Sequence, residues 1–518
     1  QGWRGLAPQG LVVYECHVGT ATPEGTFDAL VGQLDRLVAL GVTALELMPV
    51  AAFPGRWNWG YDGVALYAPY QGYGGPEGLR RLVDAAHRRG LGVLLDVVYN
   101  HLGPDGNYLR HFSPDYFTDR YATPWGEAVN YDGPRSAWVR RFVVDNARYW
   151  VHEYHVDGLR LDATHAIFDA SPRHILQEVT EAVRASLPPG RRVVLVAESH
   201  ENDVRYLRPA REGGYGMDAV WVDDFHHTVH VGLTGERDGY YQDYQGTAQE
   251  AARTIGQGFL YEGQPSRFFG GQPRGTPARR EPAWGFVYCL QNHDQVGNRA
   301  LGERLNHLVP LAHYRAASAL LLLLPYTPLL FMGQEFAASS PFLFFTDHRP
   351  ELGRLVTRGR RQEFASFAAF SDPRRHQAIP DPQAEETFYR SRLDLAERLR
   401  PPGAQVEALY RELLRLRRHD AVLRRQDRHQ MHAAAVGERT VAVHLWHGEE
   451  RRLLLAGLGE ATVVRLGEGA LAHVPGDAPW RVVLHTEEAR FGGAGGGPTL
   501  EGPRVALPGP CAAWLAAP

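Results

Sequence analysis

Short apolar runs of strand type alternate with amphipathic segments over roughly the first two-thirds of the chain. The eight runs are, in chain order, LVVYECHVG (11–19), TALELMPV (43–50), LGVLLDVVYNH (91–101), GLRLD (158–162), VVLVAES (193–199), AVWVDDF (219–225), FVYCLQNHD (286–294) and PLLFMGQEF (328–336). Segments with apolar residues at helical spacing lie between them, such as 27–41 and 78–90. Buried strands joined by helices are typical of a parallel sheet, and eight such units predict a closed (β/α)8 TIM barrel.

The organisation of the chain changes at two places. A loop of about 35 residues (101–135) precedes a helix near 135–154, and it predicts a short insertion after strand 3. After the helical segment 408–420, short strands with alternating apolar and polar residues begin near residue 430, a pattern typical of antiparallel sheets. The sequence therefore predicts an α/β barrel domain over residues 1–428 and a C-terminal antiparallel β-sandwich over 429–518.

Composition and charge narrow the classes of partner. A net charge of −4 with 22% charged residues argues against nucleic acid and an anionic membrane as main partners. The apolar run 320–324 ends at Pro325, far short of a membrane span. No signal-peptide pattern opens the sequence. Because Cys16, Cys289 and Cys511 lie far apart in apolar contexts, we expect buried thiols and a reducing, cytoplasmic location.

The sequence contains no lysine, so all 55 basic residues are arginine. A Schiff-base lysine and a phosphate-loop lysine are both excluded, and with them aldolase, pyridoxal-dependent and kinase-type functions. Aromatic residues make up 11% of the chain and include eleven tryptophans, which favours a protein that handles sugars.

Four strand ends carry polar side chains in unusual number. They are Asp96, Asn100 and His101 in the third run, Arg160, Asp162 and the following His165 in the fourth, Glu198 in the fifth, and Asn292, His293 and Asp294 in the seventh. Each alone is compatible with a structural ion pair or a loop cap. Because the carboxyl ends of barrel strands meet at one mouth, we expect the carboxylates to lie together, where repulsion raises the pKa of at least one.

Glycoside hydrolysis is the chemistry that needs this arrangement. A retaining mechanism uses one ionised carboxylate as nucleophile and one protonated carboxyl as acid, about 5–5.5 Å apart. Arg160 lies on the same side of the strand as Asp162 and would keep it ionised. Glu198 has no cation adjacent in sequence and could stay protonated as the general acid. Asp294 would bind ring hydroxyls of a distorted sugar, with His101 and His293 as neutral hydrogen-bond donors.

The motifs DVVYNH, GLRLDATH, VAES and NHDQ, in that order, resemble the four signature regions of the alpha-amylase superfamily. The resemblance covers about 400 residues, and the family's C-terminal β domain accounts for the rest. It implies Asp162 as the nucleophile, Glu198 as the acid/base and Asp294 as the transition-state stabiliser. It also implies a sugar-stacking role for Tyr61 in NWGYDG. The further substrate-binding residues expected at these strand ends are Asp96, His101, Arg160, His165 and His293.

Three longer stretches resemble a narrower group, the malto-oligosyltrehalose trehalohydrolases. They are YNHLGPDGNYL (99–109), AVWVDDFHHTVHV (219–231) and SPFLFFTDH (340–348). The resemblance implies hydrolysis of the α-1,4 bond next to the terminal trehalose of maltooligosyl-trehalose. Members of this group usually carry an N-terminal β-sandwich, which we expect to be absent or to lie outside this sequence, since the first barrel strand begins near residue 11.

The segment WVDDFHHTVH is expected to form the loop after strand six. From it, Asp223, Asp224 and His226 would hydrogen-bond trehalose hydroxyls. His226 and His230 stand four apart, as a helical metal pair does, but no carboxylate fits a zincin pattern. Asn100 matches a calcium residue of many amylases, yet too few oxygen ligands accompany it. We expect no metal and no cofactor.

Three alternatives stay open. A glycogen branching enzyme shares the barrel and the carboxylates but transfers the cut chain to another glucan. A maltodextrin hydrolase or neopullulanase would release no trehalose. A non-enzymatic barrel would only bind glucan or scaffold a partner, and it would typically have lost one of Asp162, Glu198 and Asp294, all of which are present. The expected partners are maltooligosyl-trehalose and related α-1,4-glucans, and the sequence does not determine an oligomeric state.

Overall fold

Eight parallel strands close into a barrel in the computed structural model, which describes residues 2–364 and 377–518. The strands are β1 (Val13–Cys16), β2 (Ala44–Leu47), β3 (Gly92–Val97), β4 (Gly158–Leu161), β5 (Val194–Ala197), β6 (Ala219–Trp221), β7 (Phe286–Cys289) and β8 (Thr327–Phe331). Each pairs in parallel with the next, and β8 returns to β1 with Leu329 opposite Val13. All eight predicted strands are therefore observed, and the TIM barrel is confirmed.

Helices occupy most connections between the strands. They are α1 (Val18–Ala21), α2 (Phe27–Val31), α3 (Leu34–Leu40), α4 (Gly75–Arg88), α5 (Leu109–Phe112), α6 (Ser136–Glu153), α7 (Ile175–Ser186), α8 (Asp223–Thr234), α9 (Ala248–Gln257), α10 (His293–Gly297), α11 (Leu305–Leu308), α12 (Leu311–Leu322), α13 (Pro350–Glu363), α14 (Glu385–Arg390) and α15 (Gly403–His419). The segment predicted as one helix over 27–41 forms two helices. The helix is interrupted at Gly32, because glycine is unfavourable in a helix interior. Among the described residues, none of these helices is long and apolar enough to cross a lipid bilayer.

The insertion after β3 is built around a two-stranded hairpin, formed by Phe117–Thr123 and Gly126–Val129. Trp125 lies in its turn, and its ring stacks on that of His101 with the centroids 4.7 Å apart. Because His101 follows β3 directly, this contact brings the hairpin tip back to the carboxyl ends of the barrel strands. The insertion therefore forms one wall of the barrel mouth.

Two antiparallel sheets follow the barrel. Their strands are β9 (Met431–Val436), β10 (Thr440–His447), β11 (Glu450–Gly457), β12 (Thr462–Arg465), β13 (Arg481–His485), β14 (Thr499–Glu501), β15 (Arg504–Leu507) and β16 (Cys511–Ala517). One sheet has the order β9-β10-β11-β16-β13 and the other β12-β15-β14. Leu453 and Leu455 of the first share a buried core with Val464 and Val505 of the second, as in a sandwich. The boundary between residues 428 and 429 stays a prediction.

The three cysteines are buried and unbridged, as expected from their apolar surroundings. Polar groups are also buried inside the barrel. Glu15 on β1 and Glu46 on β2 lie opposite each other in register, and each is 1% exposed. Burying carboxyl groups is costly unless they are hydrogen-bonded or neutral, so this pair needs an explanation from its surroundings.

Candidate active site

One buried guanidinium organises the barrel mouth. Arg160 on β4 has no exposed side-chain surface, and its NH1 donates to Asp96 at 2.7 Å and to Asp162 at 2.8 Å. Its NH2 lies 3.6 Å from Oε2 of Glu198. The ring of Trp221 packs against the guanidinium, with Cζ 4.2 Å from the ring centroid. A single cation thus contacts carboxyl groups at the ends of β3, β4 and β5.

Asp162 is held in its ionised form. Asn100 Nδ2 donates to its Oδ2 at 2.8 Å and to its carbonyl oxygen at 2.9 Å. Burial by itself raises the pKa of Asp162, but the charge of Arg160, with His101 and the Asn100 hydrogen bond, outweighs burial and brings this pKa below its usual range. The side chain is 12% exposed. A charged carboxylate with some open surface is what nucleophilic attack requires.

The pKa of Glu198 is shifted in the opposite direction from that of Asp162. Burial raises its pKa, Arg160 lowers it in part, and the charges of Asp162 and Asp294 raise it further, so the net pKa lies above its usual range. Its Oε2 accepts a hydrogen bond from the backbone N–H of Ala163. No cation is adjacent to Glu198 in sequence, but strand pairing brings β4 beside β5 and thus Arg160 close to it. The side chain is still disposed to carry a proton.

His293 is not the neutral donor expected from the sequence. Its Nδ1 lies 2.5 Å from Oε1 of Glu15, and its Nε2 lies 3.4 Å from Oδ1 of Asp294. Burial lowers the pKa of His293, but the charges of Asp294 and Glu15 outweigh this and raise it to about 9. The expectation was wrong because Glu15 lies 278 residues away in the chain. For His101, burial lowers the pKa, as the prediction of a neutral ring requires.

Tyr61 forms part of the same network. Its hydroxyl donates to Asp96 Oδ2 at 2.5 Å, and its ring stacks on His293 with centroids 5.1 Å apart and planes 20° apart. Its carbonyl oxygen lies 2.9 Å from His101 Nε2. Asp96 was predicted to bind substrate, but it is 3% exposed, and Tyr61 and Arg160 both donate to its carboxylate. It therefore positions those two side chains rather than facing the opening.

A cleft opens beside Glu198 and Asp294. Its other lining residues are His200, Trp221, Asp223, His227, Tyr240, Asp243, Tyr244, Phe268, Phe269, Arg274, Asn292, Gln295 and Asn298. Ring faces and a few polar groups that converge on one space are typical of small-molecule sites. The predicted His165 does not line the cleft, but its ring centroid lies 3.7 Å from that of His200, which does.

The residues predicted on the loop after strand six lie instead in helix α8. Two acidic residues in the first turn favour a helix start, because they face its positive end. Asp223 lines the cleft, and Gln295 Nε2 donates to it at 3.5 Å. Burial and the charge of Glu198 raise the pKa of Asp223 to about 7. Asp224 is fully buried and does not line the cleft.

Asp224 ties neighbouring loops together. Its carboxylate accepts hydrogen bonds from Asn202 Nδ2 and Tyr244 OH, each at 2.6 Å, and from the backbone N–H of Leu260 at 2.7 Å. Arg274 NH2 lies 3.3 Å away. The predicted contact between Asp224 and substrate is corrected, because its oxygens are occupied by protein donors.

This difference predicts opposite phenotypes for two adjacent substitutions. Asp224→Asn replaces one acceptor oxygen by an NH2 group that would face the hydrogen-bond donors around this carboxylate. We expect the free energy of unfolding to fall by about 2–4 kcal/mol. Asp223→Asn is the matched control and should change this free energy by less than about 1 kcal/mol while raising KM. Urea unfolding monitored by fluorescence, with steady-state kinetics, measures both. Equal stability of the two variants would contradict the structural role of Asp224.

His227, rather than the predicted His226, lines the cleft. The His226 ring nitrogens lie 2.5 Å from the carbonyl oxygen of Leu290 and 3.0 Å from Tyr241 OH, so His226 does not reach the cleft. His227 lines the cleft and stacks on Tyr240, and neither of its ring nitrogens has a hydrogen-bond partner in the described part of the chain. Helical periodicity explains this, because residue 227 shares a face with Asp223 four positions earlier.

The residues considered as metal ligands have partners within the protein. Within residues 2–364 and 377–518, no group of three or more His, Cys, Asp and Glu is arranged to hold an ion. Asn100, the candidate calcium residue, donates its amide to Asp162, and its Oδ1 lies 2.5 Å from His101 Nδ1.

Three residues near the site were missed in the sequence. Glu15 lies within an apolar strand, where a single acidic residue among hydrophobic neighbours was the available signal. Trp125 lies in a polar loop, and His227 directly follows His226, which was the predicted residue. None has a spacing that identifies it, because each reaches the site through contacts with distant segments.

Comparison with known proteins gives a consistent result. A model of the alpha-amylase catalytic domain matches residues 13–124. A malto-oligosyltrehalose trehalohydrolase from Deinococcus radiodurans is 49% identical over 490 residues, covering 94% of this chain and 78% of that protein. One from Saccharolobus solfataricus is 44% identical over 411 residues, covering 79% and 69%.

Two further similarities bear on the alternatives. A 1,4-alpha-glucan branching enzyme from Mesorhizobium japonicum is 33% identical over 260 residues, but covers only 43% of this chain and 34% of that protein. A crystal structure described as a putative alpha amylase from Salmonella typhimurium has a TM-score of 0.87 and 38% identity, covering 100% of this chain and 83% of that one.

Proposed function

Because the chain belongs to the malto-oligosyltrehalose trehalohydrolase family within the alpha-amylase superfamily, we propose that it hydrolyses the α-1,4-glucosidic bond next to the terminal trehalose of maltooligosyl-trehalose. The products are trehalose and a shortened maltooligosaccharide. The observation that carries the chemistry is the meeting of Asp162 and Glu198 at one guanidinium, with their pKa values biased in opposite directions. The branching enzyme from Mesorhizobium japonicum matches less than half of the chain, which favours the trehalohydrolase over the branching-enzyme alternative.

In the first step Asp162 acts as nucleophile. Its ionised oxygen attacks C1 of the glucose unit on the non-reducing side of the bond, while Glu198 gives its proton to the departing O4 of the trehalose unit. The C1–O4 bond breaks, trehalose leaves as a neutral molecule, and the maltooligosyl chain is joined to Asp162. The opposite pKa directions of the two side chains support this division of roles.

In the second step water completes the hydrolysis. Glu198, now ionised, takes a proton from a water molecule, whose oxygen attacks C1 and displaces Asp162. Glu198 regains its proton and Asp162 its charge, so both return to their starting forms. Two displacements at one carbon predict a product whose anomeric configuration is that of the substrate.

The surrounding side chains suit the two halves of the substrate. Asp294 and the protonated His293 supply an acceptor and a donor for hydroxyls of the glucose that reacts, with Tyr61 stacked beside them. Trp125, 46% exposed, offers a ring face towards the glucan chain. Since Glu198 must reach the leaving oxygen, the cleft beside it is where we propose that trehalose binds, with Asp223 among its hydroxyl partners.

Two assignments accompany this function as proposals. The catalytic unit would span residues 1–428 and the β-sandwich 429–518, which is supported by the start of the first antiparallel strand at Met431. A cytoplasmic location would suit the three buried thiols.

Product analysis on maltopentaosyl-trehalose tests the proposal. We expect free trehalose and maltopentaose as the main products, with maltoheptaose and amylose cleaved at least roughly 100-fold more slowly under the same conditions, because they lack the trehalose unit that the cleft would bind. Chromatography quantifies the sugars, and NMR of fresh mixtures should show the α-anomer of maltopentaose first. Maltoheptaose cleaved as fast would favour a maltodextrin hydrolase, and a shifted iodine stain of amylose would favour a branching enzyme.

A further inference from the structure

We infer that Glu15 is a positioning residue that keeps His293 doubly protonated, so that its ring presents a hydrogen-bond donor at Nε2 to Asp294 and to the sugar. The inference deepens the proposed function and rests on it only for the identity of the sugar. None of the four signature motifs includes Glu15, because this residue lies on β1, far from Asp294 in sequence.

Glu15 is fully engaged with His293. Its Oε1 lies 2.5 Å from His293 Nδ1, and its Oε2 accepts the backbone N–H of the same residue at 3.0 Å. Both side chains are 1% exposed. The two contacts fix the ring orientation at the first turn of α10, the helix that also carries Asp294. A charge-assisted hydrogen bond in such a dry environment is strong and depends on the charge of both partners.

The groups that face His293 come from several elements. They are Glu15 on β1, Glu46 on β2, Asp96 on β3, Arg160 on β4, Asp294 on α10, Tyr61 in the loop after β2, and His17 after β1. Burial lowers the pKa of His17 to about 4, so His17 adds no positive charge at neutral pH. The charges of Asp294 and Glu15 outweigh that of the nearby Arg160, which favours a charged ring at position 293.

Glu46 is close by but differs in kind. Its Oε1 is buried without a hydrogen-bond partner among the described residues. Burial, with the charges of Glu15 and Asp96, raises the pKa of Glu46 well above its usual range, so this side chain is neutral. Glu15 is therefore the carboxylate in contact with the ring, and Glu46 is a neighbour of the same size at the same depth.

The protonation of His293 decides how Asp294 is held. A neutral ring that donates from Nδ1 to Glu15 would turn a lone pair on Nε2 towards Asp294 Oδ1, 3.4 Å away, and two acceptors would face each other. The doubly protonated ring places an N–H there instead. Removing the charge of Glu15 should therefore lower the pKa of His293, and a ring that has lost its proton no longer brings a positive charge next to Asp294, even where its other tautomer keeps an N–H at Nε2.

The test compares Glu15→Gln with the matched variant Glu46→Gln across pH. At pH 8, Glu15→Gln should lower kcat/KM by roughly 30- to 100-fold relative to the parent enzyme, because the ring is neutral there. At pH 5.5, where the ring regains its proton, the deficit should shrink to less than about 5-fold. Glu46→Gln should follow the parent profile, since it replaces one neutral group by another. A Glu15→Gln deficit that is the same at both pH values would overturn the inference.

A second measurement needs neither a variant of Glu15 nor a substrate. NMR titration of the parent protein labelled with ¹⁵N-histidine, with the His293 signals assigned from a His293→Gln sample, should show both ring nitrogens protonated at pH 8. A ring that titrates near 6.5 would overturn the inference whatever the substrate is. A ring charged at pH 8 in a protein that releases no trehalose would overturn the proposed function and leave the role of Glu15 standing.

Discussion

Asp162→Ala and Glu198→Gln are each expected to lower kcat by about 10⁴-fold while the affinity for maltooligosyl-trehalose changes less than about 10-fold. The first removes the nucleophile, and the second removes the proton that the leaving oxygen needs. Neither side chain supplies much of the binding surface, since each is less than a fifth exposed. Steady-state kinetics gives kcat, and calorimetric titration of the inactive variants gives the affinity.

The control for these variants is a carboxylate of the same segment that lies outside the site. Glu181 on α7 is 41% exposed and pairs with Arg173 at the surface, and Glu181→Gln should retain more than about half of the activity at 25 °C. Azide should restore turnover to Asp162→Ala with inversion at C1, because it attacks from the face that the nucleophile has vacated. Either active-site variant that keeps more than about a tenth of the parent activity would contradict its assigned role.

Arg160→Met is expected to damage both activity and stability. The guanidinium holds Asp96 and Asp162 at 2.7 and 2.8 Å with no exposed side-chain surface, so its loss leaves two buried carboxylates unpaired. Breaking such a buried pair typically costs about 3–5 kcal/mol in the free energy of unfolding. Without the cation the pKa of Asp162 should rise, and kcat at pH 6 should fall by roughly 10³-fold. Denaturant unfolding and steady-state kinetics measure the two effects.

Arg160→Lys separates charge from geometry. Lysine keeps the positive charge but offers one nitrogen in place of a planar fork, so it cannot contact Asp96, Asp162 and Glu198 together. We expect most of the stability to return while kcat stays at least about 10-fold below the parent value. Recovery of full activity in Arg160→Lys would show that charge alone matters at this position. An Arg160→Met variant as stable as the parent would contradict the buried ion pairs.

The eight barrel strands could be predicted because buried parallel strands are continuous apolar runs, which are visible without any knowledge of their partners. The polar strand ends were also visible, and Asp162, Glu198 and Asp294 follow β4, β5 and β7 as expected. The segment after β6 was predicted less well. Its two acidic residues suggested a loop, whereas they begin helix α8. Successive residues of a helix point in different directions, so Asp223 faces the cleft and Asp224 faces the interior.

The sequence by itself determined the barrel, the β-sandwich and the set of carboxylates at the strand ends, because these depend on patterns within single segments. Only the tertiary structure decided which carboxyl group carries a charge and which carries a proton. Electrostatic energies depend on distance and burial in space, so Glu15 on β1 controls His293 after β7, and Arg160 contacts groups from three strands. No local pattern records contacts between residues that lie tens to hundreds of positions apart in the chain.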